Sequence, residues 1–187
     1  MLAEYPKKVV LQSGTAVTVR PMVKEDEGKL FAFFSRVPGD DRLFLRDDVS
    51  RRDVIDAWAR ELDYARVLPL VAEVGETIVG DATLHRRKAG WTSHVGKVRL
   101  VIDKAYRDKG LGTRLIEELI DIAKQAGLEL LVAEIMENQK SALAAFRHLG
   151  FEREAAFYNH VKDQAGKEHN LVVMIKNLLI EPAPPVF

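Results

Sequence analysis

"HVGKVRLVIDKAYRDKGLGTRLIEEL", His94 to Leu119, changes its hydrophobic period halfway along. Its first part is rich in β-branched residues and reads as a strand. After a basic turn, Leu111, Leu115 and Leu119, with Ile116, fall at helical spacing. At the junction stand Gly110 and Gly112, where a helix must begin. Glycine costs about 1 kcal/mol relative to alanine inside a helix, so a pair of them here implies that backbone comes close to something. Amides at a helix N-terminus, together with the helix dipole, attract anions, and glycine lets a phosphate lie against them without a Cβ clash. The competing reading is a tight strand–helix turn that needs glycine for geometry alone. Charge favours the anion. From Val95 to Arg114 there are six basic residues against two acidic ones, a local excess of +4 in a chain whose 28 Lys+Arg and 28 Asp+Glu cancel as a whole.

Outward from this stretch, "TAVTVRPM" (15–22) reads as a first strand and "KEDEGKLFAFFSRV" (24–37) as a helix. "PGDDRLFLRDD" (38–48) reads as a loop bearing Asp40, Asp41, Asp47 and Asp48. Ser50 to Asp53 matches a capping box before a helix whose face holds Val54, Ile55, Trp58 and Leu62. "RVLPLVAEV", "GET" and "IVGDATLHRR" form a hairpin interrupted by Gly80. A strand over 95–104, a helix over 110–126 ended by Gly127 and a strand over 128–136 form one parallel unit. Asn138 is placed to cap a short helix stopped by Gly150. The last hairpin is "FEREAAFYNHVK" and "EHNLVVMIK". The order βααβββαβαββ predicts a mixed, mostly antiparallel α/β sheet of about seven strands with about four helices. We read 1–14 as an N-terminal extension, 15–178 as one domain and 179–187 as a proline-rich tail.

At 187 residues, 47% hydrophobic and 30% charged, the chain suits one well-buried core. Its zero net charge gives no general pull on nucleic acid or membrane. There is no cysteine, hence no disulfide, thiolate metal site or cysteine nucleophile, as fits a reducing compartment. The N-terminus lacks a signal-peptide core and no run approaches a membrane span, so a cytoplasmic location is expected. A P-loop fails on spacing. The dinucleotide fingerprint G-x-G-x-x-G lacks its third glycine, since Leu115 stands there.

Arg107-Asp108-Lys109-Gly110-Leu111-Gly112 resembles the Arg/Gln-x-x-Gly-x-Gly/Ala loop of the GCN5-related N-acetyltransferase (GNAT) superfamily. "VRLVID" is similar to that family's fourth strand, "ENQKSALAAFRHLGF" to its second signature, "VAEVGETIVGDATL" to its central hairpin and "VTVRPMVKEDEGKL" to its first strand and helix. The resemblance spans about residues 15–178. It implies an acetyl-CoA N-acyltransferase fold with a splayed parallel strand pair, and direct transfer of an acetyl group to a primary amine on a small molecule or protein. Acetyl-CoA would be the co-substrate. By the same resemblance, backbone of Leu100, Val101 and Ile102 would pair with pantetheine, with the Leu100 amide as oxyanion donor. Amides from Arg107 through Asp108, Lys109, Gly110, Leu111 and Gly112 to Thr113 would hold the pyrophosphate. Asn138 and Ser141 would flank the pantetheine arm, and Lys104, Lys109 or Arg114 would meet the 3′-phosphate, unless they form a solvated face.

Two positions depart from the family pattern. Where many members carry a glutamate early in the fourth strand, this chain has Gly96 and Lys97. The candidates for general base are then His94, whose imidazole suits neutral pH, and Glu134, a carboxylate in an apolar strand that needs a partner or a purpose. His94 lies about 25 Å upstream of the splay at ~3.3 Å per residue, which favours Glu134; Glu137 suits the dipole of the following helix. Where many members carry the acid tyrosine, this chain has Phe146, expected to line the thiol end of the cofactor. That leaves water or Tyr158 to protonate the thiolate. The four aspartates of 38–48 with His160 and His169 are expected to frame the acceptor. No histidine spacing suits a metal, and none is expected. A non-catalytic acyl-CoA-binding or regulatory module is the alternative function. The acceptor and the oligomeric state, a homodimer included, stay open.

Overall fold

The computed structural model describes residues 2–42, 47–163 and 165–180. An eight-stranded sheet runs through the molecule: β1 (Lys7–Val10), β2 (Ala16–Pro21), β3 (Val67–Val74), β4 (Thr77–His85), β5 (Val95–Ile102), β6 (Leu130–Met136), β7 (Glu152–Lys162) and β8 (Glu168–Asn177). Its spatial order is β1-β2-β3-β4-β5-β6-β8-β7, antiparallel throughout except for β5 and β6. The helices are α1 (Glu27–Arg36), a single turn α2 (Gly39–Arg42), α3 (Arg52–Arg60), α4 (Leu111–Gln125) and α5 (Lys140–His148).

Each central strand feeds two cores because successive side chains point to opposite faces. On one face, Leu68, Leu70, Ala82, Leu84 and Val98 pack against Leu111, Leu115 and Leu119 of α4 and Phe146 of α5. On the other, Met22, Val71 and Val101 pack against Leu30, Phe33 and Phe34 of α1 and Ile55 of α3. A register shift opposite Ala72/Glu73 turns β4 so that Gly80 faces α4 and Asp81 faces α1 and α3. Gly96 admits the α4-side core closely: a Cβ there would stand 2.8–2.9 Å from Leu84, Leu128 and Leu131. That packing explains why no carboxylate occupies this point of the strand.

The sheet has one strand more than expected, and it comes from the segment read as an extension. Lys7–Val10 pairs with β2, and Tyr5 and Lys7 donate at 2.8 and 2.7 Å to Glu118, buried on α4. Two caps differ from expectation. Ser50 turns back to Asp48 and Asp53 binds Arg51, so α3 starts without a side-chain cap. The residue preceding α5 is Gln139, not Asn138, and it makes no capping bond. Gly127 and Gly150 take the left-handed conformations expected after α4 and α5. Part of the aspartate-bearing loop and all of the tail beyond residue 180 lie outside the described residues.

Candidate functional site

β5 and β6 pair only from Val95 with Leu130 to Val98 with Ala133, and then separate. Beyond that point β5 remains paired with β4 and β6 with β8, so the opening has two intact walls. The Asp103 amide donates to Val79 on β4 at 2.9 Å. Alternation along β5 therefore turns the amides of Leu100 and Ile102 towards the opening. Arg107 Nε donates to the Ile102 carbonyl at 3.0 Å and closes the far end of this edge.

A cleft of about 780 Å³ follows the opening to the start of α4. Gly110, at φ +85°, is the N-cap and offers no side-chain capping bond. The first helical bond shown at this end runs from Arg114 to the Gly110 carbonyl, so the amides of Leu111, Gly112 and Thr113 have no partner in the helix's own ladder. Gly112 also has a packing reason: its Cβ would meet Leu100 Cδ2 at 3.1 Å. The glycine pair thus serves the turn and the close approach of α4 to β5, while leaving amides on the cleft.

Of the residues expected to hold the coenzyme, Leu100, Val101, Ile102, Arg107, Asp108, Gly110, Gly112 and Thr113 line this cleft from the β5–α4 side. Asn138, Ser141 and Phe146 line it from the other. Phe146 is also core, edge-on to Phe151 at 4.9 Å. Leu111 contributes a wholly buried side chain to the core and only backbone to the loop. Lys109 turns away, its ammonium donating to the Ala105 carbonyl at 2.6 Å, and Arg114 is held by Glu118 at 2.8 Å. Among the residues of the cleft that sequence reading missed are Gln12 from the N-terminal segment and Lys140 at the start of α5.

The catalytic candidates separate. Glu134 is the first residue of β6 beyond the pairing and lines the cleft, but it is not buried: its side chain is 38% exposed and is ion-paired with Lys97. The expectation of a desolvated carboxylate fails there, because neighbouring Lys97 supplies the partner. His94 stays at the base of the pair, where its carbonyl accepts from Glu129 and Leu130. Tyr158 is 76% exposed on the outermost strand β7, with β8 between it and β6, and lines neither cavity. Glu137 accepts from Asn170 at 2.8 Å and Arg153 at 3.1 Å, which fastens the start of α5 to the last hairpin. His160 stacks near Phe157, and His169 clips Asp163 at 2.8 Å.

Behind the sheet, a second cavity of about 270 Å³ lies between α1, α3 and the strands. Phe34, Trp58 and Leu62 form its apolar wall, and Asp81, Thr83 and Arg99 stand on its sheet side. Arg99 lines both cavities, so they approach one another at β5. Of the four loop aspartates, Asp47 reaches this cavity and accepts from Trp58 Nε1 at 3.1 Å. Asp81 was overlooked in the sequence, although a carboxylate inside "IVGDATL" is the same kind of signal as Glu134 in "LLVAEIM". Among the described residues no group of three or more His, Asp or Glu forms a metal cluster, and no helix is long and apolar enough to cross a membrane.

The model of the acetyltransferase (GNAT) family matches residues 24–151, and the chain belongs to that family. It is 32% identical over 97 residues to the N-alpha-acetyltransferase RimI of Mycobacterium tuberculosis, covering 52% of this chain and 60% of that protein. Across the curated relatives it matches, the chain spans from 26% to 60% of their length. The GNAT domain of S. lividans PAT superposes with a TM-score of 0.78 at 17% identity, over 94% of this chain and 98% of that one. The yncA protein of Salmonella typhimurium, a structure with acetyl-CoA as its cofactor, gives 0.74 at 21% identity, over 91% and 99%. Both likenesses support the fold, with its single splayed parallel pair.

Proposed function

We propose that the protein transfers an acetyl group directly from acetyl-CoA to a primary amine. The observation that carries this reading is the separation of β5 from β6 after Val98 and Ala133, which leaves a strand edge open along a cleft that ends at uncapped helix amides. An extended pantetheine chain fits beside Leu100 and Ile102 as a substitute strand. The pyrophosphate fits the start of α4, with Arg107 and Lys140 as cations on the cleft. With the thioester in the opening, the Leu100 amide is aimed at the oxygen that gains charge during acyl transfer. The amine approaches from the cavity behind the sheet. Relatives named as an N-alpha-acetyltransferase and a ribosomal-protein alanine N-acetyltransferase support an amine acceptor as a class.

Thermal unfolding with acetyl-CoA tests this directly. A ligand bound only by the native state raises the melting temperature by mass action. Gly112→Asp should abolish the rise, because it sets a carboxylate beside the phosphates and a Cβ against Leu100. A response to NADH but not to CoA contradicts the reading. Coenzyme binding without thiol release on any amine or peptide favours a non-catalytic acyl-CoA module.

A further inference from the structure

Among the described residues four carboxylates are buried, and three of them hold cations. Asp26 and Glu73 share the guanidinium of Arg20, with contacts of 2.6 and 2.8 Å, and Glu118 meets Lys7 and Arg114. Asp81 is the exception. Only 7% exposed on β4, it accepts one bond, from Thr83 Oγ1 at 3.2 Å, and among the described residues no lysine, arginine or histidine forms an ion pair with it. A buried carboxylate without a cation is costly, and this one lines a cavity rather than solid core.

We propose that the missing cation is the acceptor's ammonium group, and that Asp81 is the base that takes its proton. The proposal rests on the reading of the protein as an acetyltransferase. Asp81 pairs across the strands with Val71 on one side and Val101 on the other. Since β5 lies between β4 and the opening, Asp81 stands two strand spacings from the thioester position, about 10 Å away in the sheet plane. An amine docked over β5 faces the thioester on one side and reaches Asp81 through water on the other. The walls say what the rest of the acceptor is. α1 presents Leu30 and Phe34 and α3 presents Trp58, so an apolar or aromatic body fits there. Asp47, Glu61 and Asp63 give the lining an acidic excess over Arg66 and Arg99, with His85 further along β4. The class is a small alkyl- or arylalkylammonium.

The proton balance is simple. One ammonium proton passes through water to Asp81, and the nitrogen lone pair forms the bond to the acetyl carbon. The carbon–sulfur bond breaks, and the departing thiolate takes the second nitrogen proton. Asp81 then returns its proton to water. Burial pushes the Asp81 carboxyl up to about 7, against a smaller lowering by Thr83, so base and acid forms are both populated near neutrality.

The test uses 2-phenylethylamine, hexylamine, putrescine and an alanyl peptide as acceptors, with acetyl-CoA binding measured separately by thermal shift. Wild type should acetylate 2-phenylethylamine and hexylamine in preference to the other two, with a rate that rises with pH through about 7. Asp81→Asn should lower turnover about 10²-fold or more and remove that limb, while the coenzyme shift persists. Thr83→Val keeps the carboxylate but removes its hydrogen bond, and should move the limb to higher pH. Undiminished turnover in Asp81→Asn, an unmoved limb in Thr83→Val, or preference for the peptide or putrescine overturns the proposal. If the coenzyme shift itself is absent in wild type, the acetyltransferase reading fails first.

Discussion

Glu134 and Asp81 show how one sequence signal resolves into two chemical situations. Both are carboxylates within apolar strands, and burial without a partner would be costly for either. Glu134 lies part-exposed on the cleft and takes Lys97; Asp81 lies under α1 and α3 with only a hydroxyl. Glu134→Gln should therefore reduce turnover less than tenfold, measured at saturating acetyl-CoA. As a part-exposed pair it should also cost no more than about 1 kcal/mol of stability. A hundredfold loss in that variant would return the base to β6. Asp81 has a stability signature of its own. Its native carboxyl holds a proton between the ordinary 3.8 and about 7, where the unfolded chain has released it. Stability falls as pH rises through that window. Relative to wild type, Asp81→Asn should melt progressively higher from pH 4 to pH 8 in a thermal scan. Burial raises Asp26 and Glu73 as well, but the Arg20 bonds overcome it and hold both below their ordinary values. Their contribution is present above those ordinary values and is lost as acid protonates them.

Strands and helices were legible where the hydrophobic period was long and unbroken. The unit of β5, α4 and β6 could be read from Val95 to Met136 because Leu111, Leu115 and Leu119 mark one helix face between two apolar strands. Lys7–Val10 was not legible. It is four residues long with two lysines, and its place depends on pairing with β2 and on Glu118 more than a hundred residues away. The two mistaken caps have a similar cause, since Ser50 and Asn138 have side chains suited to capping but tertiary contacts decide where they point. Gly96 marks a third kind of limit. Its sequence neighbours do not reveal that Leu84, Leu128 and Leu131 converge on it. Gly96→Ala should cost about 1–3 kcal/mol through overpacking. Urea unfolding checks this, and an unchanged midpoint would show that the three leucines yield without strain.

At the scale of the whole molecule, the proposed reaction has its two reactants on opposite faces of the sheet, meeting at the gap between β5 and β6. The α4 side supplies the long cleft and helix amides; the α1–α3 side supplies the small cavity and Asp81. Their meeting depends on β5 being paired with β4 and unpaired with β6 at the same residues. That topology was legible from the motif order. The cavity proposed for the acceptor was not, because its lining comes from α1, α3, β3, β4 and β5, far apart in the chain. Amide hydrogen exchange, resolved by residue along β5, tests the open edge most directly. With saturating acetyl-CoA, exchange at Leu100 and Ile102 should slow at least tenfold, while Val101, already turned to β4, changes little. Saturation by acetyl-CoA with no protection at Leu100 and Ile102 would contradict the account.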